Sequence, residues 1–252
     1  MRIGIGCGVD AEKVVQSAGQ AASPDREIVC YLKTGEELVP PEHVSFVFSD
    51  APETALVDDL YAKRIDAAVR GSLPANDTLK YLKSVYGVSR LERIALLETS
   101  AGQKFFFAPV GVDEGWTVSE KAAFAEDGRR LAKAFGLSEK VVLLSGGRLG
   151  DIGRHAAVDK TIYDAEEAAR LSGAEHGEIL IEDAVKDAGV IIAPDGISGN
   201  LIFRTLVFLG GGIGHGALIV NIPDLFVDSS RASASYVGIL SMTARIIAGK
   251  IH

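Results

Sequence analysis

Cysteine, tryptophan, long apolar runs and surplus positive charge are all scarce in this 252-residue chain. Two cysteines, Cys7 and Cys30, cannot supply a disulfide framework or a CxxC metal site. Each lies in or beside an apolar run, so both are expected as buried, reduced thiols. His43, His155, His176, His215 and His252 are scattered, with no HExxH pair, so no metal is expected. A GxSxG nucleophile elbow is missing too. With a formal charge of -8 and a pI near 5.2, the chain has no broad basic surface, and nucleic acid is not an expected partner. No segment reaches about 18 apolar residues without charge, and the opening run Ile3-Gly4-Ile5-Gly6 lacks a signal-peptide core. A soluble, cytoplasmic protein without a membrane span is expected.

What the chain does have is apolar content, 47% of its residues, arranged as short runs that alternate with helical patterns. That rhythm predicts repeated βαβ units, hence an α/β fold with mainly parallel sheets. Strands are expected at Arg2 to Gly6, Ile28 to Leu32, Val44 to Phe48, Ala67 to Arg70, Ile94 to Leu97, Lys104 to Val110, Val141 to Leu144, Val190 to Ala193, Ala217 to Val220 and Leu225 to Val227. Helices are expected at Ala11 to Ala22 with Asp10 as cap, Pro52 to Ala62, Pro74 to Tyr86, Val118 to Phe135, Ala165 to Ser172, Glu182 to Asp187, Ile197 to Phe208 and Ala234 to Ala248. No Ser/Pro-rich linker divides the chain, so two lobes would have to be made by strands crossing between them.

Five segments could carry chemistry. Gly4-Ile5-Gly6-Cys7-Gly8 sits at a strand-to-helix turn, but a dinucleotide site would want an acidic residue ending the second strand, and Cys30-Tyr31-Leu32-Lys33 ends in lysine; tight packing is the alternative. Ser145-Gly146-Gly147-Arg148 follows a strand and pairs permissive backbone with a cation, which suits an anion cradle or a plain turn. Asp195-Gly196-Ile197-Ser198-Gly199-Asn200 opens a helix after a strand, where open α/β sheets bind ligands; helix capping by Asp195 or Ser198 is the competing explanation. Gly210 to Gly216 places five glycines around Ile213 and His215 in an expected loop, and His215 could contact an anion or move a proton. Asp228-Ser229-Ser230-Arg231 precedes the last helix, where a guanidinium beside hydroxyls suits phosphate and capping by a serine is the alternative.

Taken in order, Asp66 to Ser72, Val141 to Ser145, Ala193 to Asn200 and Asp228 to Arg231 resemble successive landmarks of phosphate acetyltransferases and butyryltransferases. The whole chain looks like the methanogen marker protein 4 family, whose name is putative methyltransferase subunit X. The superfamily resemblance implies a two-lobed fold like that of isocitrate and isopropylmalate dehydrogenases, with residues 1–98 and 229–252 in one lobe, 99–228 in the other, and an active cleft between them. It also implies a homodimer and a small anionic substrate. Coenzyme A or phosphate would be a substrate, with no tightly bound cofactor. By the same resemblance Ser230 and Arg231 are catalytic, with His215 added from the residues themselves. Ser145, Gly146, Arg148, Asp195, Ser198, Gly199 and Asn200 would bind substrate.

One residue departs from that pattern. The superfamily's basic aspartate on the last helix falls, by counting, on Val237, which cannot take a proton; Asp195, Asp228 or His215 could substitute. Three functions are therefore carried forward: acyl transfer between coenzyme A and an anionic acceptor, methyl transfer, and anionic-ligand binding without catalysis.

Overall fold

The computed structural model describes residues 1–231 and 233–249. The chain forms two compact units, Met1–Leu91 with His215–His252, and Glu92–Gly214. In unit 1 the strands β1 (Arg2–Gly6), β2 (Glu27–Lys33), β3 (Val44–Ser49), β4 (Ala67–Val69), β10 (Ile213–Ile219, which starts just before the unit boundary) and β11 (Leu225–Asp228) stand in the order β3-β2-β1-β4-β11-β10. All neighbours pair in parallel except β10 and β11, where Ala217 faces Asp228 and Leu218 faces Val227. Helices α1 (Ala11–Ala21), α2 (Pro52–Tyr61), α3 (Ala75–Tyr86) and α8 (Val237–Gly249) complete the unit. One side of its core joins Tyr31, Leu56, Ile65, Leu73, Leu82 and Phe226, which are buried on strand and helix faces of matching period.

Unit 2 contains β5 (Arg93–Glu98), β6 (Lys104–Ala108), β7 (Val141–Leu143), β8 (Glu175–His176) and β9 (Val190–Ile192), in the order β5-β6-β9-β7-β8. Only β5 with β6 is antiparallel there. Its helices are α4 (Val118–Phe135), α5 (Ala156–Ser172), α6 (Ile181–Ala184) and α7 (Gly196–Phe208). Phe105, Phe106 and Phe107 are fully buried, and Phe106 meets Phe135 of α4 edge to face at 5.3 Å between centroids. Gly128 lets α4 sit close to β9, because a Cβ there would meet Val190 Cγ1 at 2.5 Å. Among the described residues no helix is long and apolar enough to cross a membrane, and no group of three or more ligands could hold a metal.

The parallel α/β expectation holds, with local corrections. Residues 93–98 pair antiparallel with β6 and so fall in unit 2, while 215–228 form the hairpin that pairs with β4 and fall in unit 1. The units therefore divide at 91/92 and 214/215, not at 98/99 and 228/229. Asp10 does not cap α1 through its side chain; its backbone is left-handed at φ 61° and its carboxylate instead accepts from Lys13 at 3.2 Å. The segment from Ile213 onward is a strand, so His215 lies in β10 and not in a loop. Gly210 and Gly212 donate to Thr205 O and Leu206 O, closing the C-terminus of α7.

Candidate active site

In unit 1 the parallel strands β1, β4 and β11 end at one edge, and the three turns leaving them are bound to one another. The glycines of the first turn serve contact between backbones: a Cβ on Gly6 would lie 2.6 Å from Arg70 O, and one on Gly8 2.6 Å from Ser72 O. Gly71, at φ 63°, returns the contact against Gly6 O. Ser72 N donates to Gly6 O at 3.0 Å and Gly8 N to Ser72 Oγ at 2.8 Å. The packing reading thus accounts for this glycine run, with the 70–73 turn as its partner.

The third turn is clamped just as firmly. Arg70, 4% exposed, donates from Nε to Asp228 Oδ1 at 2.5 Å and from Nη1 to Leu73 O at 2.6 Å. Its backbone N–H reaches Val227 O, and Ser229 Oγ donates to Gly71 O at 2.8 Å. Removing one member of a buried pair of this kind strands a charge, at a cost of about 3–5 kcal/mol. Beyond the clamp, Tyr236 Oη donates to Ser230 O at 3.2 Å. Tyr236 is fully buried and burial pushes its phenol up to about 12, so it serves as a fixed donor and not as a base. Ser230 is half-buried; Arg231 is exposed, and its side chain makes no ion pair or hydrogen bond to any described residue.

His215 reaches the same corner by two routes. The β10/β11 register pairs Ala217 with Asp228, and two more steps along that hairpin lead from Ala217 to His215 and from Asp228 to Ser230. At the start of α8, a Cβ built on Gly238 would sit 3.5 Å from His215 Nδ1, one residue past Val237. The imidazole thus lies beside the helical turn where the superfamily resemblance places its basic aspartate. Val237 itself is half-buried, with its N–H on Ser235 Oγ.

In unit 2 the expected binding residues cluster at the C-terminal ends of β7 and β9. Asp195 caps α7, accepting from Ser198 N at 2.8 Å and Ser198 Oγ at 3.1 Å. Gly196 and Gly199 bring the first turn of α7 against the 109–114 loop, where added Cβ atoms would meet Gly111 O and Pro109 O at 1.9 Å each. Asn200 Nδ2 holds Val110 O at 2.9 Å. Capping and close packing together engage Asp195, Gly196, Ser198, Gly199 and Asn200, more than the single residue that capping alone explains. Ser145, buried, gives its hydroxyl proton to Gly147 O at 2.9 Å, so His176 Nε2–H, also at 2.9 Å, is the donor to Ser145 Oγ. Burial lowers the His176 pKa. Gly146 N donates to Thr161 Oγ1, while Arg148 is exposed and its backbone N–H donates to Asp151 Oδ2.

Four residues in these two edges escaped the sequence reading: Arg70, Glu114, Lys121 and His176. Glu114 is buried and takes Arg93 Nε at 2.5 Å; burial raises its pKa against the pull of Arg93. Lys121, 2% exposed on α4, stands 3.5 Å from Asp164, and burial lowers its pKa. A charge closing an apolar run, as in Ala67-Ala68-Val69-Arg70, was the available signal for the first of them.

The fold that these edges belong to is that of the phosphotransacylases. A branched-chain phosphotransacylase from Enterococcus faecalis superposes with a TM-score of 0.76 at 16% identity, covering 98% of this chain and 99% of that one. The Staphylococcus aureus phosphotransacetylase EutD gives 0.70 at 17% identity, covering 100% and 94%. No protein-family model matches the chain. Closer in sequence is the "putative methyltransferase mtx subunit X" of Methanosarcina barkeri, 43% identical over 219 residues, 85% of this chain and 79% of the relative. The chain belongs to that methyltransferase mtx subunit X family.

Proposed function

We propose that this protein is a transferase that moves an acyl group between a coenzyme A thioester and phosphate or a related anionic acceptor. The reading is carried by one arrangement: an exposed Arg231 beside Ser230 at the end of β11, with the buried Arg70–Asp228 pair behind it and the His215 ring against the first turn of α8. Arg231 binds the acceptor phosphate through two of its N–H groups. A phosphate oxygen attacks the thioester carbonyl carbon, Ser230 donates to the oxyanion that forms, and the C–S bond then breaks. His215 takes the proton that phosphate sheds and hands it to the departing sulfur, doing the work Val237 cannot. Asp195 is engaged in capping α7 and Asp228 is held by Arg70, so neither carboxylate is assigned the proton in this proposal.

The experiment is direct. Acetyl-, butyryl- and isobutyryl-coenzyme A are each mixed with phosphate and the native chain, and released thiol and acyl phosphate are both measured. Arg231→Ala should lose at least about 100-fold in rate, and His215→Gln about 100- to 10,000-fold, the usual worth of a proton-transfer group. A native chain that makes no acyl phosphate from any of the three ends this reading.

Methyl transfer is the second reading, favoured by the names of the relatives. Thermal stabilisation by adenosyl-methionine, with none by coenzyme A, acyl-coenzyme A or phosphate, would select it. Stabilisation by phosphate without turnover would select the binding protein that Val237 suggests. A homodimer is part of the proposal: Ile197, Leu201 and Phe208 of α7 are exposed at helical spacing, an apolar stripe of the kind that pairs with its own copy.

A further inference from the structure

We infer that Arg70 is a positioning residue for the Ser230–Arg231 corner, acting through Asp228. Four observations converge on it. Arg70 is 4% exposed at the last turn of a parallel strand, where a lysine or arginine is rarely buried without a purpose. Its donors are spent on two different turns: Nε on Asp228 and Nη1 on Leu73 O, while its backbone N–H holds Val227 O. Asp228 is the residue from which Ser229, Ser230 and Arg231 depart. Finally, Ser229 and Tyr236 reach this turn only through backbone carbonyls, Gly71 O and Ser230 O, whereas Arg70 takes hold of the Asp228 carboxylate itself.

The physical consequence concerns direction more than stability. A carboxylate at the end of β11 can swing about its own side-chain bonds, and the turn beyond it carries an exposed guanidinium with no protein partner among the described residues. A planar guanidinium that holds Asp228 through Nε and Leu73 O through Nη1 fixes the one turn against the other and sets where the chain leaves β11. Lysine at position 70 would keep the charge and lose the planar group, because an ammonium is a point donor. The inference rests on the acyl-transfer reading only for the identity of the ligand; the geometry of the turn can be judged without it.

The test uses the full chain and two variants. Arg70→Lys keeps the buried charge, and Arg70→Ala opens a space that guanidinium ion can fill. Two quantities are read: the rate of tryptic cleavage after Arg231, followed by mass spectrometry, and the inorganic phosphate concentration that half-saturates the thermal shift. Both variants should be cut after Arg231 at least about fivefold faster and need at least about tenfold more phosphate. In Arg70→Ala, millimolar guanidinium chloride should recover both, and sodium chloride of equal ionic strength neither. Unchanged cleavage overturns the inference, as does faster cleavage with an unchanged phosphate response in a chain that binds phosphate. If the native chain shows no phosphate response at all, the transfer reading loses its ligand, and cleavage with guanidinium rescue alone then decides the role of Arg70.

Discussion

Buried charge is where single residues matter most in this molecule. Arg70, Glu114 and Lys121 are each nearly sealed from solvent, yet they are not equivalent. Arg70 and Glu114 meet short, directed partners, whereas the ammonium of Lys121 has its acceptor, Asp164, at 3.5 Å, and Asp164 is held more closely by Lys160 at 2.5 Å. Desolvation therefore outweighs attraction at Lys121 and lowers its pKa. At alkaline pH below 10.5 the unfolded chain then binds more protons at this site than the folded one, so the contribution of Lys121 to stability rises with pH through that window. Lys121→Met removes the buried charge and keeps most of the volume. It should stabilise the fold by about 1 kcal/mol near neutral pH, and the advantage over the native chain should shrink as urea melts are repeated toward pH 10. A variant less stable than the native chain at neutral pH would mean that the Asp164 contact outweighs its desolvation.

Elements show which physical signals a sequence carries openly. The helix Val118 to Phe135 has the bounds expected of it: Gly136 turns left-handed at its end, and the structure adds a capping box of Thr117 and Glu120 at its start. Helix α5 is different: only Ala165 to Ser172 was legible, since its first turns from Ala156 are largely exposed and show no apolar stripe. The two-residue β8 has no pattern at all and exists through pairing with β7. Likewise the close packing of the hexapeptide opening α7 is not legible in sequence, because the backbone oxygens it meets, Pro109 O and Gly111 O, are more than eighty residues away. That packing is testable. A methyl group at position 199 would have to displace backbone, so Gly199→Ala should cost more than about 2 kcal/mol in chemical denaturation. A cost near zero would mean that the approach to Pro109 O does not require glycine at this position.

At the scale of the whole molecule, fold and sequence point to different names. Two phosphotransacylases share the architecture over nearly the whole chain at 16% and 17% identity, while a relative 43% identical bears a methyltransferase name. Architecture at that identity fixes where strands end, not which bond is broken, so chemistry has to be decided at Ser230, Arg231 and His215. Assembly can be decided separately. On α7, Gly196 and Gly199 are buried, whereas Ile197, Leu201 and Phe208 are exposed at 51%, 61% and 47%, and Leu209 just beyond the helix at 84%. Such a stripe is costly to leave in water, and an isologous helix pair is the simplest cover that one gene product can supply. A stable pair buries roughly 1,200–2,000 Å² in total, more than one helix provides, so neighbouring surface must join it. Light scattering should give about twice the 26.6 kDa chain mass at micromolar concentration. Leu201→Glu with Phe208→Glu should return a monomer whose circular dichroism matches the native chain, because neither side chain lies in the core of its unit. A native monomer, or a double variant that remains dimeric, would remove α7 from the interface.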